Sequence, residues 1–212
     1  KLNNTGLFSE KLVLSERNEN VPDWNLCVDK PTAIRKMEVY AAMIYRMDAE
    51  IGKLLTELKS KGLDKNTIIL FMSDNGACDE HGTFGFDRMK NNAEIGNSKS
   101  FVSYGASWAN VCNTPFRYFK EKTYEGGIRN PAIVYWPALA NRKSSVVEKQ
   151  THLMDVLPTI VEITGAKYPD KYNGNTVPKM DGISFLSDLK EKNGKKHRFL
   201  AWEHEGNKAI IA

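Results

Sequence analysis

Two hydrophobic periods along the chain predict a helix followed by a strand. From Pro31, apolar residues recur at spacings of three, four and seven until Gly62 ends the pattern, which predicts an amphipathic helix with Thr32 as its N-cap. Its apolar positions are Ile34, Met37, Ala41, Ile44, Ile51, Leu54, Leu55 and Leu58. Residues 67–72 then form a short apolar run that predicts a strand buried on both faces. A helix, a short turn and a buried strand make half of an α/β unit.

The rest of the chain continues this alternation after one long irregular stretch. Residues 76–114 are rich in Gly, Asn and Ser with scattered aromatic side chains and have no sustained period, which predicts an ordered functional loop. The pattern then predicts a strand at 132–136, a helix from Asp155 to Gly165, a short helix at 184–189 and a closing hairpin of 199–202 with 208–212. Together these elements predict the α/β fold class.

Composition and charge exclude several kinds of partner. The chain has 212 residues, 41% of them hydrophobic, and its 30 basic residues against 26 acidic ones give a net charge of +4. The small basic cluster of Lys195, Lys196 and Arg198 is typical of a solvated turn, and no apolar run reaches the length of a membrane span. We therefore expect neither a nucleic-acid nor a membrane partner.

The cysteines and the chain ends add little chemistry. Cys27, Cys78 and Cys112 are an odd number without a C-x-x-C pair, so neither a disulfide framework nor a zinc site is expected. No start signal precedes the first predicted element, and the last residues end within a predicted strand. We expect the chain to be a fragment of a longer protein.

One candidate site follows the predicted strand of residues 67–72. Ser73, Asp74, Asn75 and Gly76 stand where that strand ends, and ligands bind at the carboxyl ends of strands in open α/β sheets. A carboxylate beside an amide oxygen suits a hard cation such as Ca²⁺. The same four residue types are also the best turn formers, so a plain turn remains open.

A second candidate segment lies at residues 113–131. It holds a lysine, Lys120, near acidic residues and the Gly126-Gly127 pair, directly before the predicted strand at 132–136. On physical grounds alone, a solvated loop that enters a strand explains this segment as well as a binding site does.

Taken together, these segments resemble the sulfatase family, in family order and at family spacing. The resemblance covers most of the chain and is closest to bacterial arylsulfatase-type enzymes. It rests on the residues at 40–48, 73–76, 103–110, 114–117, 124–127, 155–159 and 202–207.

The resemblance implies both a fold and a reaction. The fold is an alkaline-phosphatase-like mixed-sheet sandwich, with residues 1–165 as the C-terminal part of the main α/β domain and 166–212 as a linker and the start of a small antiparallel C-terminal subdomain. The reaction is the cleavage of sulfate esters by a formylglycine nucleophile with the help of calcium. By motif position, Asp74 and Asn75 match two calcium ligands, and Lys120 matches the catalytic lysine that contacts the sulfate.

The chain departs from the family pattern at the nucleophile. No Cys or Ser here begins a C-x-P-x-R type motif, so the formylglycine, the paired aspartates and their neighbours are expected in a missing N-terminal segment of the same protein. The isolated chain is therefore expected to be inactive. The resemblance also implies a periplasmic or secreted location, and a sulfated small molecule or sulfated glycan as the partner.

Two histidines are candidates for substrate binding. His152 precedes the helix that begins at Asp155, and His204 lies in the closing hairpin, which in similar sulfatases approaches the mouth of the active site. His81 and His197 are expected on the surface. Two alternatives to a sulfatase stay open: a phosphate or phosphonate ester hydrolase of the same superfamily, and a non-catalytic module that binds carbohydrate or a protein partner.

Overall fold

The computed structural model describes residues 13–139, 146–147, 149–190, 192 and 194–212. Its helices, in chain order, are α1 (Lys30–Ser60), α2 (Gly105–Asn113), α3 (Glu125–Ile128), α4 (Val156–Thr164) and α5 (Leu186–Leu189). Its strands are β1 (Ile69–Met72), β2 (Ala132–Tyr135), β3 (Lys171–Tyr172), β4 (Asn175–Thr176), β5 (Leu200–His204) and β6 (Asn207–Ile211). Short 3-10 helices occupy Trp24–Leu26, Asp64–Asn66 and Leu153–Asp155.

The described residues form two compact units. The first comprises the residues up to Ala138 together with Glu203–Lys208, and the second comprises the remaining residues up to Trp202 together with Ala209–Ala212. The domain boundary expected after residue 165 is a separate matter and stays a prediction.

Helix α1 begins and ends through local capping. The Asp29 carboxylate accepts a hydrogen bond from the amide of Thr32 at 3.1 Å, so Asp29 is the N-cap. The prediction of Thr32 was wrong by three residues. At the other end Gly62 has φ of 67°, which lets the Leu63 amide reach back to the Leu58 carbonyl at 2.9 Å. The predicted stop at Gly62 is confirmed.

Strands β1 and β2 pair antiparallel, with Ile69 opposite Tyr135 and Met72 opposite Ala132. Both strands were predicted, but burial of β1 on both faces was not correct. Phe71 is exposed, and so are Ile133 and Tyr135 in β2. In the described part of the chain this sheet has two strands, so its faces lack the covering layers that a buried strand needs.

The core of the first unit is small and lies beside the candidate loops. It contains Val21, Ala106, Ala109 and Phe119. Two of these belong to α2, a nine-residue helix inside the stretch predicted to be irregular. Ala106 and Ala109 are three positions apart and share one face, but two alanines are too weak a period to predict a helix in a Gly- and Ser-rich sequence.

The second unit is organised by one buried carboxylate. Asp155 is 2% exposed and accepts hydrogen bonds from the amides of His152 and Ile183, at 2.8 and 2.7 Å. The His197 ring donates through Nε2 to the same carboxylate at 2.8 Å, and its side chain is only 12% exposed. The expectation that His197 lies on the surface was wrong, because it pairs with this carboxylate.

Helix α4 has the predicted ends. Pro158 lies in its first turn, and Gly165 terminates it with φ of 65°. None of the helices in the described residues is long and apolar enough to cross a membrane.

Candidate active site

Antiparallel pairing of β1 and β2 brings the two candidate segments to one end of the sheet. Because Met72 at the end of β1 lies opposite Ala132 at the start of β2, the residues after β1 run beside the residues before β2. The amide of Ser73 donates to the Pro131 carbonyl at 3.4 Å, and the amide of Lys120 donates to the Ala77 carbonyl at 3.0 Å. The chain that carries Lys120 therefore lies against the chain that carries Asp74 and Asn75.

Glycines allow this close contact between two backbones. The amide of Gly76 donates to the Gly127 carbonyl at 3.0 Å. A Cβ atom at Gly76 would lie 1.8 Å from the Gly126 carbonyl oxygen, and one at Gly126 would lie 2.0 Å from the Tyr118 carbonyl oxygen. No other residue type fits at these positions without movement of the main chain, which explains why glycine occurs in both segments.

The loop holds Lys120 between one buried neighbour and two strained positions. Phe119 is in the core, 4% exposed, and anchors the loop. Tyr118 and Glu121 have φ of 63° and 74°, in the left-handed region that non-glycine residues seldom adopt. Such conformations cost about 1–3 kcal/mol and cluster at functional sites. The surrounding packing thus fixes the direction in which Lys120 leaves the loop.

The Lys120 ammonium pairs with Glu80 across forty positions of sequence. Lys120 Nζ donates to Glu80 Oε1 at 3.3 Å, and the two side chains are 36% and 39% exposed. This hydrogen bond raises the pKa of Lys120 and lowers the pKa of Glu80. The lysine is therefore cationic at neutral pH and open to solvent, as a side chain that binds an anion must be.

Asp74 and Asn75 present oxygens with few competing partners. Asp74 is exposed, and its carboxylate makes no hydrogen bond or ion pair with the described residues. Asn75 donates through Nδ2 to the Gly76 carbonyl at 2.8 Å, which leaves its Oδ1 free of donors in the same set of residues. These two oxygens suit a hard cation, although no group of three His, Cys, Asp or Glu gathers within the described chain.

Arg117 supports the loop and faces inward. Its guanidinium lies over the Tyr118 and Tyr124 rings, 4.9 and 5.5 Å from their centroids, and its Nε atom is buried without a hydrogen-bond partner among the described residues. Its cation–π contacts stabilise the loop conformation before Lys120.

The two candidate histidines lie in different surroundings. His152 is in the second unit, where its Nδ1 accepts from the Met154 amide at 3.3 Å and caps the 3-10 helix that leads into α4. Its ring lies 5.9 Å from that of Trp202. His204 ends β5, is exposed, and belongs to the first unit. Substrate contact by either histidine stays a prediction.

Glu80 belongs to the site, but the sequence did not predict that it pairs with Lys120. Glu80 lies between Asp79 and His81, and no recognisable spacing relates it to Lys120, so no local pattern pairs the two residues. Only the path of the loop after β1 makes the contact.

Solved structures share this fold. The chain aligns with Ps i-CgsB, solved with k-i-k-neocarrahexaose, at a TM-score of 0.53 and 21% identity, over 89% of this chain and 36% of that one. It aligns with BT33336S-sulf of Bacteroides thetaiotaomicron at a TM-score of 0.53 and 22% identity, over 78% of this chain and 30% of that one. These likenesses concern the fold alone, and they confirm the α/β, alkaline-phosphatase-like class predicted from the sequence.

The sulfatase family model matches residues 9–166, so the chain belongs to the sulfatase family. It is 35% identical over 198 residues to an uncharacterised sulfatase of Schizosaccharomyces pombe, which covers 86% of this chain and 35% of that protein. It is 37% identical over 158 residues to the arylsulfatase of Klebsiella aerogenes, which covers 70% of this chain and 33% of that protein. The chain thus spans about a third of the length of these curated relatives.

Proposed function

We propose that this chain forms part of a sulfuric-ester hydrolase in which Lys120 binds the sulfate group and Asp74 and Asn75 bind calcium. The observation that carries the proposal is the pairing of the Lys120 loop with the loop after β1, through the Gly76–Gly127 and Lys120–Ala77 backbone hydrogen bonds. A cation and a free carboxylate are thereby held on adjoining loops at one end of the sheet.

The role of Lys120 follows from its charge and its mounting. Charge builds on the sulfate oxygens as a sulfate ester is cleaved, and a fixed ammonium stabilises that charge with little reorganisation. Lys120 is cationic at neutral pH and leaves a loop anchored by the buried Phe119. Glu80 holds the ammonium until a sulfate group replaces it.

Calcium would be held in part by this chain. Ca²⁺ takes about six to eight oxygens, and Asp74 with Asn75 offers two side chains, so other segments or water must supply the rest. When bound, the ion would withdraw charge from the sulfate oxygens. We place the formylglycine nucleophile on a further segment of the same protein and propose a periplasmic or secreted location, with a sulfated small molecule or glycan as substrate.

The experiment is an NMR titration of the ¹⁵N-labelled chain with inorganic sulfate. We expect amide shifts in the two loops, around residues 74–80 and 117–127, and their loss in Lys120→Met. Lys53→Met is the matched control, because Lys53 also pairs with a glutamate, Glu50 at 2.9 Å, but lies on the exposed face of α1. Equal binding by wild type and Lys120→Met would overturn the proposal.

Inorganic phosphate in the same titration tests the superfamily alternative. A Lys120-dependent preference for phosphate over sulfate of about tenfold would favour a phosphate ester hydrolase. A longer form of the protein that binds sulfate through Lys120 but does not hydrolyse an aryl sulfate would favour the non-catalytic module.

A further inference from the structure

A depression of about 490 Å³ lies beside the Lys120–Glu80 pair in the first unit. Glu80 forms part of its wall, together with His81, Phe86, Arg88 and Phe101. This volume is within the range of about 300–1,000 Å³ that small-molecule sites occupy. Since Glu80 also contacts Lys120, the depression opens next to the proposed sulfate position.

Aromatic rings form one side of this depression. The rings of Phe86 and Phe101 are stacked, with centroids 6.1 Å apart and an interplanar angle of 18°. The His81 ring lies 6.0 Å from that of Phe86. Phe101 is 50% exposed, so part of this apolar side chain is open to a ligand. Such a surface binds the flat or apolar face of an organic ring.

Arg88 adds a positive charge to the same face. Its guanidinium carbon lies 5.4 Å from the centroid of the Phe101 ring. Among the described residues it has no carboxylate partner, whereas Lys120 is paired with Glu80. The neighbouring Asp87 carboxylate accepts from the amides of Met89 and Lys90, at 3.1 and 3.2 Å, which occupies Oδ1 in a turn. Within the part of the chain that the structure describes, Arg88 is therefore a cation without a counter-ion.

Backbone pairing fixes these side chains on one side. Asp87 and Val102 form an antiparallel bridge, and the Arg88 amide donates to the Phe101 carbonyl at 2.8 Å. The residues on either side of such a bridge point to the opposite face from the bridge residues, so Phe86 and Arg88 share a face with Phe101. The rings and the cation are thus set before any ligand binds.

A buried lysine ties this loop to α1. Lys36 Nζ donates to the Phe84 carbonyl at 2.8 Å, and its burial lowers the pKa of the ammonium. Burial of a cation costs free energy, and the hydrogen bond to the Phe84 carbonyl offsets part of that cost. The same hydrogen bond holds the loop two residues before Phe86. A rigid loop spends less free energy on ordering when it binds.

We propose that the depression binds the alcohol part of the sulfate ester and that Arg88 selects substrates with a second negative group on that part. The inference rests on the proposed function, because it takes the sulfate to lie at Lys120. The substrate class is a ring-containing sulfate ester that also bears a carboxylate or a further sulfate. The ring lies on Phe86 and Phe101, and the second anion pairs with the Arg88 guanidinium.

The test compares two non-hydrolysable sulfonates, benzenesulfonate and 4-sulfobenzoate, by NMR titration of the chain. The second ligand adds one carboxylate to the same ring. We expect it to bind about tenfold more tightly, as one charge-assisted hydrogen bond to arginine allows. In Arg88→Met this advantage disappears, while benzenesulfonate still binds. Arg88→Lys keeps part of the advantage, because it keeps the charge.

Two controls separate this inference from the proposed function. Arg46→Met, at an exposed arginine of α1 that pairs with Glu50, keeps the full advantage of 4-sulfobenzoate. Lys120→Met abolishes the binding of both sulfonates. Equal affinities in the wild type, or an advantage that persists in Arg88→Met, would overturn the role of Arg88 alone. Benzenesulfonate binding that is absent or independent of Lys120 would overturn the proposed function and this inference with it.

Discussion

Asp155 in the second unit and Asp74 in the first are both carboxylates beside the start or end of an element, yet their surroundings are opposite. Asp155 is 2% exposed and receives hydrogen bonds from two amides and the His197 ring. Asp74 is exposed and has no side-chain partner among the described residues. A carboxylate whose acceptor sites are filled by its own chain holds structure, and one whose sites are empty can bind a ligand.

Histidine and lysine follow the same contrast. His197 is 12% exposed and donates to a buried carboxylate, so it belongs to the structural cluster. The Lys120 side chain is 36% exposed and shares a single contact of 3.3 Å with Glu80. A solvent-exposed ion pair contributes little to stability, so an anion can displace Glu80 at small cost. Substitutions in the Asp155–His197 cluster should therefore destabilise the protein, whereas substitutions in the Lys120–Glu80 pair should be tolerated.

The largest effect is expected at Asp155. Asp155→Ala leaves two partly buried amides and the His197 ring without an acceptor, which costs about 3–5 kcal/mol of the free energy of unfolding. Urea unfolding measures the loss, and faster hydrogen exchange at the Ile183 amide locates it. Asp181→Ala, at an exposed aspartate of the same unit, should stay within about 0.5 kcal/mol of wild type. Equal stabilities for the two variants would show that the buried Asp155 carboxylate does not hold the second unit together.

The next effect is expected at the contact between the two loops. In Gly76→Ala the new methyl group meets the Gly126 carbonyl oxygen, so the loops must separate, at a cost of about 1–3 kcal/mol. Sulfate binding should weaken in the same variant because Lys120 moves with its loop. Gly52→Ala is the matched control: its Cβ meets nothing within 4 Å, and replacing glycine within a helix should stabilise by about 0.5–1 kcal/mol. Unchanged sulfate affinity in Gly76→Ala would show that the loop contact does not position the lysine.

A smaller effect is expected from Glu80→Gln. Without the competing carboxylate, the affinity for sulfate at neutral pH should rise, by roughly two- to fivefold. Glu80 raises the pKa of Lys120 above its ordinary 10.5, so in the variant binding should be lost at a lower alkaline pH than in wild type. Calorimetric titrations with sulfate, from neutral pH up into the alkaline range where Lys120 loses its proton, measure both changes.

The sign of the pH dependence of stability follows from the same pair. The lowered pKa of Glu80 means that its contribution is present above its ordinary 4.5 and is lost as the pH falls through the lowered value. The raised pKa of Lys120 means that its contribution is present below 10.5 and is lost as the pH rises through the raised value. In Glu80→Gln both limbs should flatten, and an unchanged pH profile would show that the pair is not formed in solution.

The smallest effect on stability is expected at Asp74. Asp74→Ala removes no hydrogen bond or ion pair with the described residues, so the free energy of unfolding should change by less than about 0.5 kcal/mol. Calcium binding by the isolated chain should be weak, about millimolar at best, because one carboxylate and one amide fill little of the coordination shell, and the variant should abolish it. Titration calorimetry measures this binding, and micromolar binding that survives Asp74→Ala would place the site elsewhere.

Local patterns in the sequence predicted several of the elements, and the motifs along the chain indicated the family. The helical period and Gly62 predict α1, the apolar runs predict β1 and β2, and Pro158 with Gly165 predicts α4, because backbone periodicity and end signals act within a few residues. The resemblance to the sulfatase family rests on seven motif segments, from residues 40–48 to residues 202–207, in family order along the chain. These properties are local or are carried by order along the chain.

The tertiary structure alone decided which charges are paired. Glu80 and Lys120 are forty positions apart in the sequence, and Asp155 and His197 are forty-two apart. Only the paths of the intervening segments bring these partners together. The small apolar face of α2 becomes part of the core because it packs with Phe119. The exposure of β1 depends on which strands and helices lie beside it. Local preference cannot specify such contacts, since the free energy that forms them comes from packing and ion pairing between segments that are distant in the sequence.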